Sequence, residues 1–170
     1  MAAILWGKVY YRDVPAGELR QERDRSCVFT YDQEYLAGGG AAIAHTLPRR
    51  AEPFVSHAGL HPFFDNLVAE GWLRNAQARA LGVSSDDRFA LLLAFGRDCA
   101  GAVSLVDPAP AHEPALDPGD AESVAALASR ASLSGIQPKL FAVADGKSFR
   151  PAKAGETSTH IAKLPSGSLR

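Results

Sequence analysis

The sequence predicts an α+β fold: a small β-rich N-terminal subdomain with two packed helices, followed by the first strands of a second, smaller sheet. Three observations lead there. Runs rich in β-branched and aromatic residues open the chain (ILWGKVYY, CVFTYDQEYL), broken by Asp, Pro and Gly. Two stretches between Asn66 and Phe95 repeat apolar residues at helical spacing and carry start and stop residues. A proline-rich run, DPAPAHEPALDPG, then separates these from LFAVA and HIAKL, which again have strand composition.

Taken in order, Ile4 to Tyr11 reads as a strand, RDVPAG as a turn leading into a second short strand, and Cys27 to Leu36 as a third. Gly38, Gly39 and Gly40 break regularity, and Pro48, Pro53 and Pro62 forbid a long helix in the next stretch. Asp65 is placed to cap a helix whose apolar positions are Leu67, Val68, Trp72, Leu73, Ala76 and Ala80, with Gly82 as its stop. A second helix is expected from Ser84 or Ser85, with Asp86 and Asp87 at its positive end, through FALLLAF to Gly96. Joined by a Gly-Val turn, the two helices should pack together. AGAVSLV is a strand ending at Asp107 and Pro108. The four prolines between Pro108 and Pro118 mark a linker, and Asp120 caps a short helix AESVAALASR, with Glu122 in its first turn and Arg130 at its end. The expected organisation is a subdomain over 1–108, a linker over 109–119, and a second unit over 120–170.

With 170 residues, 46% of them apolar, the chain has the material for a core. A formal net charge of −1 supplies no bulk field for a polyanion, which argues against direct nucleic-acid or acidic-membrane binding. Cys27 and Cys99 have no metal-type spacing and suggest neither a disulfide framework nor a zinc site, as in a reducing cytosol. The N-terminus has no basic n-region and no stretch approaches membrane-spanning length, so a cytoplasmic protein is expected. His57 and His61 are four apart, but Gly59 and Pro62 argue against the helix that would aim both at a metal. Arg20, Arg23 and Arg25 alternate with Glu22 and Asp24 as in a solvated loop, and Trp6 and Trp72 read as core anchors. No serine has a GxSxG context.

Between Ser132 and Pro165 the inferred order is a small-residue loop (SLSGIQPK), strand LFAVA, a DGK turn, a loop, and strand HIAKL. A loop of this kind at the open end of two antiparallel strands can drape N–H groups over phosphates, and a strand lysine, here Lys163, can reach the same phosphates. On spacing alone the signal is weak, since Gly135 is a single glycine and not a GxGxxG pattern.

SLSGIQPKLFAV and STHIAKLP resemble the glycine-poor loop and the strand lysine of the HipA family of bacterial serine/threonine kinases, the toxins of HipA/HipB toxin–antitoxin pairs. PFFDNLVAEGWLR (Pro62 to Arg74) and LLLAFGRDCAGAVSL (Leu91 to Leu105) resemble motifs of that family's N-terminal subdomain. The resemblance implies that the second unit is the start of a kinase N-lobe. It implies that Ser134, Gly135, Ile136, Gln137, Pro138 and Lys139 form the ATP-covering loop and that Lys163 contacts nucleotide phosphates. Ser132 matches the autophosphorylated serine, while Ser134 stands where other members often carry a small non-hydroxyl residue; both are candidates, and the alternative is that both are turn residues bonding to nearby backbone. Phosphoserine adds about −1.5 to −2 charges, and a unit like-charge pair at roughly 5 Å in an effective dielectric near 20 costs about 3 kcal/mol. Phosphorylation there should oppose the ATP phosphates and push the loop outward.

For the complete kinase the resemblance implies ATP and Mg²⁺, a HipB-like helix-turn-helix antitoxin that binds operator DNA, and an aminoacyl-tRNA synthetase as substrate, typically the glutamyl enzyme. The catalytic base and the Mg²⁺-binding residues of such a kinase would lie beyond Arg170, so no catalytic residue is assigned in this chain and no phosphotransfer by it alone is expected. A short sheet ending near Lys163 leaves an open edge, and HIAKLP is where a homodimer would pair. The competing reading is a free-standing module that acts in trans as an antitoxin or regulator of a separate kinase chain.

Overall fold

A computed structural model describes residues 5–99, 101–110, 139–151 and 158–163. Strand β1 (Leu5–Tyr11) turns directly into β2 (Val14–Gln21). Arg12 and Asp13 alone make the turn, both left-handed (φ 49° and 64°), the geometry of a two-residue hairpin that matches strand twist. The expected RDVPAG turn is therefore shorter, and Pro15 lies inside the strand. The ladder shifts register between Val9 and Tyr10, which pair with Gly17 and Pro15. Pro15, which has no N–H to give, sits beside this irregularity and ahead of Gly17, where pairing to the next strand begins.

β3 (Cys27–Tyr31) pairs with β2, but the strand expected to run to Leu36 ends at Tyr31. Lys8 reaches Asp32 at 2.8 Å and turns the chain into α1 (Gln33–Ala37), where Tyr35 stacks on Tyr31 with ring centroids 6.0 Å apart. The Tyr31 hydroxyl donates to Leu47 O (2.5 Å) and accepts from Ile43 N (3.0 Å), while Tyr35 donates to Ala41 O (2.7 Å). Two phenols thus satisfy the backbone of a Gly- and Pro-bearing loop that has little regular structure of its own.

β4 (Phe54–Ser56) pairs with β3. The next helix differs from expectation: Pro62 starts α2 (Pro62–Asp65), with His61 Nδ1 accepting from Phe63 N at 3.2 Å. Proline suits a first helical position because its missing N–H would be an orphan there. Asp65 therefore ends α2 instead of capping the following helix, and it binds Arg88, whose Nη2 also donates to Asp65 O (3.0 Å). α3 (Gly71–Leu81) starts after Leu67 and Val68, which are buried in the connecting turn. It stops at Gly82 (φ 69°), where Val83 N bonds Ala78 O and Gly82 N bonds Arg79 O, a Schellman closure as the glycine suggested. α4 (Arg88–Phe95) begins later than expected. Ser84 to Asp87 forms a turn, and the Asp87 carboxylate accepts from Ala90 N at 3.2 Å. α3 and α4 pack together, as the short connection required.

β5 (Val103–Val106) returns to pair with β1, giving the antiparallel order β4-β3-β2-β1-β5. Its outer edge is partly closed by Leu105 N bonding Gly96 O at 2.7 Å. Val9, Leu19, Phe29, Tyr31, Val103 and Leu105 line one side of this sheet and bury Phe64, Phe89, Leu91 and Leu92 from the helices. Phe29 is central, with ring centroids 4.8 Å from Tyr31 and 5.2 Å from Phe64. Gly17 lies over it, and a Cβ there would meet Thr30 O at 2.3 Å and the Phe29 ring at 2.8 Å. Trp6 is not the expected core anchor: it is 39% exposed, because strand alternation sends it to the face opposite Val9. Trp72 is half-buried on a separate cluster of Ala69, Leu73 and Ala76.

A second antiparallel sheet holds β6 (Lys139–Asp145), β7 (Ser148–Pro151) and β8 (His160–Lys163) in the order β7-β6-β8. Gly146 (φ 63°) makes the β6–β7 turn where DGK predicted one. The linker beyond residue 110 and the helix expected from Asp120 fall outside the described residues.

Two outcomes follow from the packing. Gly17→Ala should lower stability by about 1–3 kcal/mol through the forced contact with Thr30 and Phe29; an unchanged urea midpoint would contradict it. His61 caps α2 only while neutral, and burial lowers its pKa below the usual 6.5. The folded-state value being depressed, the cap's contribution, about 1 kcal/mol or less, is present above the unfolded pKa and lost as pH falls through the folded one. Urea midpoints at pH 7.5 and 5.0 should therefore converge for His61→Asn, which keeps an acceptor without titrating, relative to the parent protein.

Candidate functional site

Antiparallel pairing of β6 with β8 sets Lys139 directly opposite Lys163, the first residue of one strand against the last of the other. Directly opposed positions share a sheet face with Cβ atoms about 5 Å apart, where like charges repel. Lys163 is exposed at the sheet end. The rest of the expected phosphate loop, Ser132 and Ser134 through Pro138, lies outside the described residues; by chain connectivity it runs straight into Lys139. The structure thus brings together two of the sequence-predicted residues. It moves Lys139 from a loop to a strand start, a placement that only the ladder with β8 could establish.

The opposite end of β6 carries the hairpin turn. Ser148 Oγ donates to Asp145 O at 3.0 Å, and Arg150 Nε stands 3.8 Å from the Asp145 carboxylate. Asp145 and Lys139 are the two ends of a seven-residue strand, about 20 Å apart along the backbone. Beside β8, Phe149 meets His160 edge-on at 4.8 Å, and Thr159 Oγ1 lies 2.8 Å from His160 Nδ1.

Polar groups in the front half are mostly engaged in structure. Lys8 bridges Asp32 (2.8 Å) and Glu18 (3.6 Å). Burial pulls its ammonium down, but the hydrogen bond and charge of Asp32, with Glu18, more than reverse this and leave its pKa raised. This triad is not legible in the sequence, because it needs the β1–β2 register and the turn after β3. A hollow of about 420 Å³ is lined by Arg25, His57, Asp65, Asp86, Asp87 and Arg88 among others, with Asp65 held by Arg88 and Asp87 capping α4. A second, of about 400 Å³, lies between the β1–β2 turn and the loop after α4, where Arg12 and Arg97 are matched by Asp13 and Asp98. The second hollow is charge-balanced, while the first carries three aspartates against two arginines. Among the described residues no three His, Cys, Asp or Glu side chains are grouped to hold a metal, and no helix is long and apolar enough to cross a membrane. Burial pushes the Cys27 thiol up to about 11 and that of Cys99 up to about 12, so both remain protonated and unreactive near neutrality.

The model of the HipA N-terminal domain matches residues 7–106, the interval in which β1 to β5 close the first sheet. The serine/threonine-protein kinase toxin HipA of Shewanella oneidensis is 35% identical over 178 residues, covering 96% of this chain and 41% of that protein. An uncharacterized protein of Haemophilus influenzae is 33% identical over 99 residues, covering 58% of this chain and 89% of its own length. A solved structure of the N-terminal domain of HipA toxin superposes with a TM-score of 0.50 at 28% identity, over 64% of this chain and 97% of the other. The chain spans about two fifths of the length of the longer curated relatives it matches. A five-stranded antiparallel sheet packed on short helices, matched in sequence from β1 to β5 and in structure by the same domain, settles the kinship: this chain belongs to the HipA N-terminal domain family.

Proposed function

We propose that the chain is the N-terminal portion of a HipA-like serine/threonine kinase of a toxin–antitoxin system, and that its second sheet begins the kinase N-lobe. The observation that carries this reading is the Lys139–Lys163 pair. Lysine at two directly opposed ladder positions is an unfavourable choice on charge grounds alone. A polyanion bridging them turns repulsion into two charge-assisted contacts, and a nucleoside triphosphate has the charge and length to do so. In this reading Ser134, Gly135, Ile136, Gln137 and Pro138 lead into Lys139 and cover the nucleotide, with Lys163 holding its phosphates. Phosphorylation at Ser132 or Ser134 would place like charge against that site and disfavour binding.

The chain divides, in the same reading, into a subdomain over 1–108, a linker over 109–119 and the start of the N-lobe from 120. ATP with Mg²⁺ is the cofactor of the complete kinase, whose remaining part supplies the catalytic base and metal ligands. A HipB-like helix-turn-helix antitoxin is the partner and an aminoacyl-tRNA synthetase the substrate. This chain makes no direct nucleic-acid contact, and the exposed β8 edge is the place for pairing between copies.

A second reading, that the first unit acts in trans on a separate kinase chain, is favoured by the Haemophilus influenzae relative, of which the alignment covers 89%. Among the described residues, the buried main core of that unit is built from residues between Val9 and Leu105.

Calorimetric titration of the 170-residue chain with MgATP tests the first reading. Binding should be measurable and should weaken at least tenfold for Lys163→Ala; equal heats for both proteins, or none for either, would overturn it. For the second, a fragment of residues 1–110 should retain cooperative unfolding and be retained by an immobilised HipA-family kinase that lacks its own N-terminal domain. A folded fragment that passes through unretained rejects action in trans.

A further inference from the structure

No further inference is drawn: the strongest candidate, the cross-strand row Trp6, Arg20, Val28 and Val55 on the outer face of the five-stranded sheet, with Trp6 39% and Val55 50% exposed, is a partly apolar surface for which nothing in the structure shows what covers it.

Discussion

The pairing of β5 with β1 is the constraint on which the front unit depends. Val9 opposes Leu105 and Tyr11 opposes Val103, so everything between Tyr11 and Val103 must fold back within that closure. Loop-closure entropy grows only slowly with length, about 0.6 kcal/mol for each doubling. Full burial of each large apolar side chain returns about 1.5–3 kcal/mol. Val9, Leu19, Phe29 and Leu105 are each at most 1% exposed, so closing a long loop is offset by a handful of core residues. Closure also places α4 against both β1 and β5, and Gly7 lets the strand approach Leu93 and Leu105, which a Cβ would meet at 2.8 and 2.9 Å.

Polar groups then determine where the chain may turn. Lys8, Asp32 and Glu18 tie three consecutive segments across one face of the sheet, and Asp65 with Arg88 joins the short α2 to the start of α4. The Tyr31 hydroxyl, both donor and acceptor, holds the loop after α1 over the aromatic cluster. The Tyr31 bonds satisfy backbone groups that would otherwise be buried without partners, which costs more than the bond returns, whereas the ion pairs stay partly open to solvent. The second sheet is organised differently. It has three short strands, with Phe149 and Ile161 largely exposed, and its ladder sets Lys139 opposite Lys163 where β6 starts and β8 stops. A sheet of this size gains little from its own packing.

Local signals were legible where one residue dominates the backbone. Gly82 at a left-handed helix end, Asp87 near the start of α4, Gly146 in the β6–β7 turn and the strands Leu5–Tyr11, Val103–Val106 and His160–Lys163 within the expected runs follow from φ freedom, capping chemistry or β-branching. Misplaced boundaries occur where a distant partner decides. The β3 run would continue to Leu36 but for Lys8 at Asp32, and Asp65 would cap a helix but for Pro62 starting one earlier and Arg88 claiming its carboxylate. Trp6 has the composition of a core residue, yet strand alternation turns it outward.

By itself the sequence determined the mixed helix-and-sheet class and the family resemblance, because residue types, their spacing and punctuation are carried along the chain. Only the tertiary structure decided that β5 closes on β1, that Gly17 must lie over Phe29, and that Lys139 and Lys163 are direct partners. Strand register is a relation between segments far apart in sequence, and a shift of one residue would turn each side chain to the other face. The burial of Val9, Phe29 and Leu105 selects the register of the first sheet.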